Sequence, residues 1–160
     1  LPASGLADEV PPRSRHQTAE QSPGFLLWRA TLSWQRDIRA ALAPYELTHV
    51  QFVLLASLWW LEEHGTGQPI QADLAEHAGT DPMMTSQVIR KLAARGLAER
   101  RPAPGDSRAM QLAVTPAGRT LLAAALADVE AADEAYFAAL GDQRDAFARA
   151  LARLGGRSTA

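Results

Sequence analysis

The sequence predicts a mainly α-helical domain carrying one small β-hairpin, with elements in the order ααααββαα. Apolar residues recur at helical spacing through most of the chain, and polar helix starts and Gly or Pro stops divide that pattern into segments. One stretch, "AERRPAPGDSRAMQLAVT" (98–115), instead alternates with period two around a Pro-Gly tip.

Length and composition narrow the class. A chain of 160 residues fits a single domain of ordinary size, and a net charge of −2 argues against a surface that is basic all over while leaving room for a local basic patch. The absence of cysteine excludes disulfides, thiolate zinc sites and thiol switches. The apolar run "VQFVLLASLWWL" stops at Glu62, too short to cross a bilayer, and the N-terminus lacks the blocks of a signal peptide. A cytoplasmic protein without a membrane partner is expected.

Residues 1–23 hold Pro2, Pro11, Pro12 and Pro23 among Ser, Gly and charges with no apolar period, and read as a flexible tail. A single domain is expected over 24–156. Leu27, Trp34, Ile38 and Leu42 mark a first helix over about 24–43, ended by Pro44. In "LTHVQF" Thr48 and Gln51 can form a reciprocal cap while Leu47 staples to Phe52, opening a second helix that runs to about Glu63 and is apolar nearly all round. "QADLAEHAG" is a short third helix with Leu74, Ala75 and Ala78 inward and Gly79 as its stop. Asp81 caps a fourth helix that has Pro82 at its first position and ends at Gly96.

Strands are expected over Ala98–Arg101 and Ala109–Thr115, the second with Met110, Leu112 and Val114 on one face. Thr115 and Pro116 then open a long helix carrying Leu122, Leu126, Val129, Tyr136 and Leu140. After Gly141 and Asp142 a last helix carries Phe147, Leu151 and Leu154.

A short helix, a tight turn, a second helix and a two-stranded hairpin make a winged helix-turn-helix, here over about 47–115. Thr85, Val88, Ile89 and Leu92 form the inward stripe of helix 4, leaving Met83, Ser86, Gln87 and Arg90 outward. Gln pairs with adenine, Arg with guanine, Ser with base or phosphate, and Met meets a thymine methyl. Arg90, Lys91, Arg95, Arg100, Arg101 and Arg108 are opposed in their own stretch only by Glu99 and Asp106, while acidity gathers between Asp128 and Asp145. The expected DNA-binding set is Met83, Ser86, Gln87, Arg90, Lys91, Arg101, Asp106 and Arg108.

These residues together resemble the MarR family of bacterial transcription regulators. The matching pieces are Leu47, Thr48 and Gln51, then "QADLAEHAG", "GLAERR", "GDSR" and "VTPAGR", over roughly Gly24 to Leu154. The resemblance implies a homodimer joined by the helices over about 24–43 and 116–156. It also implies a pseudo-palindromic double-stranded operator, repression, and release by a small aromatic or phenolic effector. By position, Arg108 would enter the minor groove and Asp106 would hold its guanidinium. The pocket implied between helices 1, 2 and 5 draws attention to Trp28, His49 and Trp59. Two positions depart from the family pattern: Ile70 stands where a Ser or Thr cap is usual, and Met83 and Met84 stand where small polar residues are commoner.

Other readings compete. The four tryptophans suit core and dimer packing ahead of a ligand pocket. His16, His49, His64 and His77 lack the spacing of a metal motif, and no nucleophile elbow, phosphate-binding Gly loop or His-Glu-x-x-His occurs, so neither cofactor nor catalysis is expected. A winged helix that docks proteins instead of DNA is the alternative, disfavoured by the basic hairpin.

Overall fold

The computed structural model describes residues 14–156, apart from the Ser107 side chain. Its helices are α1 (Pro23–Leu42), α2 (His49–His64), α3 (Gln71–Ala78), α4 (Pro82–Ala94), α5 (Pro116–Phe137) and α6 (Arg144–Gly155). The strands β1 (Ala98–Ala103) and β2 (Asp106–Val114) lie between α4 and α5, in the expected order. Short 3₁₀ segments cover Ala19–Gln21, Ala43–Tyr45 and Ala138–Gln143. The first falls in the segment read as a tail, whose residues 1–13 lie outside the described residues. The chain divides into an N-terminal unit ending at Ser33 and a second beginning at Trp34, within the span of α1.

In the second unit α2 is the central helix, packed by α3, α4, α5 and β2. Its Leu54, Leu55 and Leu58 are fully buried, each contributing about 1.5–3 kcal/mol of transfer free energy. Ile38, Leu42, Leu74, Ile89, Leu92, Leu112 and Leu122 complete the core around it. Helix starts follow local chemistry. Thr48 Oγ1 accepts from Gln51 N–H at 3.3 Å while Gln51 Oε1 accepts from Thr48 N–H at 2.9 Å, and Leu47 and Phe52 are both buried.

The Ile70 departure is resolved differently. Ile70 offers no acceptor, so only half a capping box forms, with Asp73 Oδ2 accepting from Ile70 N–H at 3.0 Å. The rest of the anchorage comes from β2, where Leu112 N–H donates to Pro69 O at 3.0 Å and Ile70 bridges to Gln111. A fragment of third strand therefore ties the start of α3 to the hairpin.

The hairpin ladder runs closer to its tip than the expected strands. Pro102 pairs with Met110 and Ala103 with Asp106, leaving Pro104 and Gly105 as the turn, with Gly105 at φ +82°. Pro102 is tolerated because β1 is an edge strand, and the register irregularity between Pro102 and Ala103 matches the splay of a Pro-Gly turn. At the other end, Thr115 Oγ1 accepts from Gly118 N–H at 2.9 Å and donates to Gly96 O at 2.6 Å. A Cβ on Gly118 would lie 2.0 Å from Leu97 O, which explains the glycine in "VTPAGR".

Candidate nucleic-acid interface

The turn between α3 and α4 sets the direction of the second helix. Gly79, at φ +63°, closes α3, and Asp81 Oδ1 accepts from Met83 N–H at 2.9 Å and Met84 N–H at 3.0 Å to open α4. Thr85, the buried polar residue of the helix, donates its hydroxyl to Asp81 O at 2.9 Å and meets Thr80 Oγ1 at 2.8 Å. The turn is thus locked from within, and Val88, Ile89 and Leu92 bury the inner face of α4.

The outer face carries the predicted side chains. Met83 is 71% exposed, Gln87, Arg90 and Lys91 are exposed, and Ser86 is half-buried. The Met83 thioether stands out from the helix as an apolar group able to meet an apolar base edge. On the wing Arg101 and Arg108 are exposed. A groove of about 660 Å³ lies between α3 and the wing, lined among others by Gln71, Gly79, Thr80, Pro82, Asp106 and Arg108. It brings the start of α4 and the wing tip to one concavity, although they lie more than twenty positions apart in the chain.

Among the described residues the ion pairs are Arg36 with Asp37 and Arg119 with Glu62 and Glu63, so Arg90, Lys91, Arg101 and Arg108 stand outside them. Four cations outside these ion pairs raise the local potential well above what a net charge of −2 suggests. Arg101 reaches Gln68 Oε1 at a long 3.5 Å.

Several residues singled out in the sequence take specific partners or hollows. Arg95 is exposed but committed within the module, because its guanidinium donates to Glu46 O at 2.7 Å and Tyr45 O at 3.1 Å. Asp106 engages Arg108 through the backbone, accepting from its N–H at 2.9 Å; at a spacing of two residues the carboxylate closes an Asx-type turn. His49 and Trp59 line different hollows. His49 sits with Gln35, Arg39, Val50 and Val53 in one of about 320 Å³, and Trp59 with Arg119, Leu122 and Leu126 in one of about 150 Å³. Trp28 is 61% exposed in the N-terminal unit.

The His49 ring meets the edge of Trp34 at 5.0 Å, and Trp34 Nε1 donates to Asp133 Oδ1 at 2.6 Å. Burial pushes the His49 imidazole below its ordinary range, the nearby Asp133 charge opposing this and Arg39 adding to it. Arg100, one of the basic residues of the hairpin, and Gln71 each have a buried side-chain atom, Nε and Oε1, with no hydrogen-bond partner among the described residues, which their sequence positions do not foretell. Nothing in the local pattern distinguishes them.

Among the described residues no cluster of three or more His, Cys, Asp or Glu could hold a metal ion, and no helix is long and apolar enough to cross a membrane. The model of the MarR family matches residues 47–110. The HTH-type transcriptional regulator YdcH of Bacillus subtilis is 46% identical over 126 residues, covering 79% of this chain and 85% of its own length. The HTH-type transcriptional repressor Rv2887 of Mycobacterium tuberculosis is 34% identical over 94% of this chain and 98% of its own. Its structure in complex with DNA superposes with a TM-score of 0.64 at 33% identity, covering 84% of this chain and 98% of that one. CouR of Rhodococcus jostii RHA1 has been solved with p-coumaroyl-CoA (TM-score 0.75, 25% identity, 91% of this chain and 99% of that one). The repressor CouR has also been solved on a 23-mer DNA duplex (TM-score 0.76, 28% identity, 89% and 99%). A locked helix-turn-helix with a cationic wing, in a chain this similar to known regulators, makes the protein a member of the MarR family of winged helix-turn-helix transcriptional regulators.

Proposed function

We propose that the chain is a non-enzymatic, cytoplasmic, homodimeric repressor that reads a pseudo-palindromic operator with α4, grips the flanking DNA with its wing, and is released by a small aromatic or phenolic acid. The observation that carries this is the set of cations Arg90, Lys91, Arg101 and Arg108, outside every ion pair among the described residues and flanking the exposed face of α4. The DNA complexes of Rv2887 and CouR support it. In this reading Gln87 and Arg90 pair with base edges, Met83 meets a thymine methyl and Ser86 contacts base or phosphate. Lys91 and Arg101 neutralise phosphate, and Arg108 enters the minor groove from a tip shaped by Asp106.

Dimerisation is assigned to the helices flanking the module. Phe25, Leu26, Leu27, Trp28 and Leu32 of α1 and Phe147, Leu151 and Leu154 of α6 are exposed in the single chain, more apolar side chain than a monomer ordinarily leaves in water. Half-sites about 10 bp apart are expected. The effector is assigned to the His49 hollow, where the Arg39 cation suits a carboxylate and Val50 and Val53 suit a ring. The bound CoA thioester of CouR is a precedent for an aryl ligand in this fold.

The test compares two variants on a duplex enriched from a randomised pool and on a random duplex. Arg108→Ala should weaken both by similar factors, with a salt slope lower by about 0.9 for each phosphate that is no longer neutralised. Gln87→Ala should cost about 1–3 kcal/mol at one or two base positions per half-site and leave random binding nearly unchanged. If Arg108→Ala binds like the parent at every salt concentration, the wing does not touch DNA and the protein-docking module takes first place. Quenching of tryptophan emission by a panel of aryl acids tests the effector.

A further inference from the structure

Arg95 is the C-terminal cap of α4 and lies beyond the residues proposed to touch DNA. Both of its guanidinium bonds end on consecutive backbone carbonyls, those of Tyr45 and Glu46, in the short connection between α1 and α2. That connection has an uncommon shape. Glu46 is a non-glycine residue in the left-handed region, at φ +52° and ψ +34°, a conformation that holds only when its surroundings impose it. The side chain of Tyr45 leaves the same turn in another direction. Its hydroxyl donates to Asp128 Oδ2 at 2.6 Å and lies 3.1 Å from Ala124 O, and both residues are on α5. Asp128 holds this phenol above its ordinary range, as a short bond to a carboxylate requires.

α4 itself packs against α2, α3 and β1, and α5 against α2. The single turn at Tyr45–Glu46 thus gives the long helix a polar connection to the end of the recognition helix. We propose that Tyr45 and Arg95 form a positioning relay, in which the place of α5 along the molecule sets the seating of the α4 C-terminus and so the DNA affinity of the module. Tyr45 and Arg95 are positioning residues in this scheme, acting through α4. The relay deepens the regulatory reading above and rests on α4 being the helix that meets DNA.

The chemistry of each bond allows the relay to be cut at four points. Tyr45→Phe removes the hydroxyl and keeps the ring. Asp128→Ala removes the acceptor on α5, and Asp128→Asn restores an acceptor oxygen. Arg95→Lys keeps the charge but replaces the two-nitrogen fork that spans both carbonyls with a single ammonium nitrogen. On a duplex enriched from a randomised pool with the parent protein, Tyr45→Phe and Arg95→Lys should each bind about three- to tenfold more weakly. Because the bonds act in series, the double variant should bind no more weakly than the weaker single one. Asp128→Ala should match Tyr45→Phe, and Asp128→Asn should recover parent affinity.

Hydrogen exchange of the protein free of DNA gives a second, independent readout. The amides of Arg95, Gly96 and Leu97, bonded to Lys91 O, Ala93 O and Leu92 O, should exchange faster in Tyr45→Phe and Asp128→Ala while the α2 amides keep parent rates. Unchanged exchange at these amides, or losses of DNA affinity that multiply in the double variant, would overturn the relay. If the parent enriches no duplex at all, it is the DNA-binding reading that fails, and the exchange data still decide whether α5 is coupled to α4.

Discussion

Gly118→Ala adds one methyl group where the structure has no room for it. A Cβ at this position would stand 2.0 Å from Leu97 O and 3.0 Å from both Leu97 C and Val114 Cγ1. Carbon and oxygen settle at about 3.3 Å, so α5 must retreat from the α4–β1 junction by more than an ångström. The obstacle is a backbone carbonyl beside a buried side chain, and it cannot swing aside as a flexible side chain would. The same junction is crossed by Thr115 N–H to Leu97 O at 3.2 Å and Thr115 Oγ1 to Gly96 O at 2.6 Å, and the retreat breaks or stretches both.

Two such bonds are worth about 1 kcal/mol each. Overpacking adds about 1–3 kcal/mol, and the better helix propensity of alanine returns about 1 kcal/mol. The net destabilisation is about 3 kcal/mol, which for a chain of this length lowers the melting temperature by about 6–12 °C. Circular-dichroism melts at one protein concentration measure it, with Gly155→Ala in α6 as the control. Among the described residues, nothing outside its chain neighbours and its own helix backbone lies within 4 Å of a Cβ at Gly155, so that variant should melt at or above the parent temperature. A Gly118→Ala midpoint within about 2 °C of the parent would refute the steric argument.

Glu62 accepts from Val114 N–H at 2.8 Å through one oxygen and pairs with Arg119 at 2.6 Å through the other, tying the wing base to α2 and α5. Glu62→Ala should therefore cost about 1–3 kcal/mol in urea unfolding, and Glu62→Gln, which keeps an acceptor for the strand, less than about 1 kcal/mol. Equal losses would show that the strand bond contributes nothing. His49 has its folded pKa depressed by burial, so the unfolded chain binds the more protons on acidification. This contribution to stability is whole above the ordinary imidazole value of 6.5 and is lost as pH falls through the folded value. Unfolding titrations across this window should show the decline, and His49→Gln should flatten it; an unchanged slope would place the burden on another group.

Much of the fold is legible because it is written over short spans of chain. Thr48 with Gln51, Asp81 with Pro82, Thr115 with Pro116, and the stops at Gly79 and Gly141 act within a helical turn, and the sequence displays both partners together. The division of α4 into an inner stripe of Thr85, Val88, Ile89 and Leu92 and an outer face follows from helical periodicity alone. The sequence pattern makes the hairpin too short because Pro102 breaks a central strand but not an edge, and only the pairing distinguishes the two.

The sequence by itself determined the order of the helices and most of their starts, which face of α4 looks outward, and that a basic hairpin follows it. It carried the long helix through Leu140, whereas α5 ends at Phe137 and Leu140 lies in a 3₁₀ segment. Tertiary structure decided how the charged groups are used, since their partners lie some 50 to 80 positions away. Arg95 caps a turn at Tyr45 and Glu46, Glu62 serves Val114 and Arg119, and Tyr45 reaches Asp128. It also placed His49 and Trp59 in separate hollows and replaced the missing cap of α3 with a bridge to β2. The physical reason is the same throughout: a cap or a stripe is satisfied by neighbours along one helix, whereas a guanidinium or carboxylate takes whichever acceptor or donor the packing of other helices brings within about 3 Å.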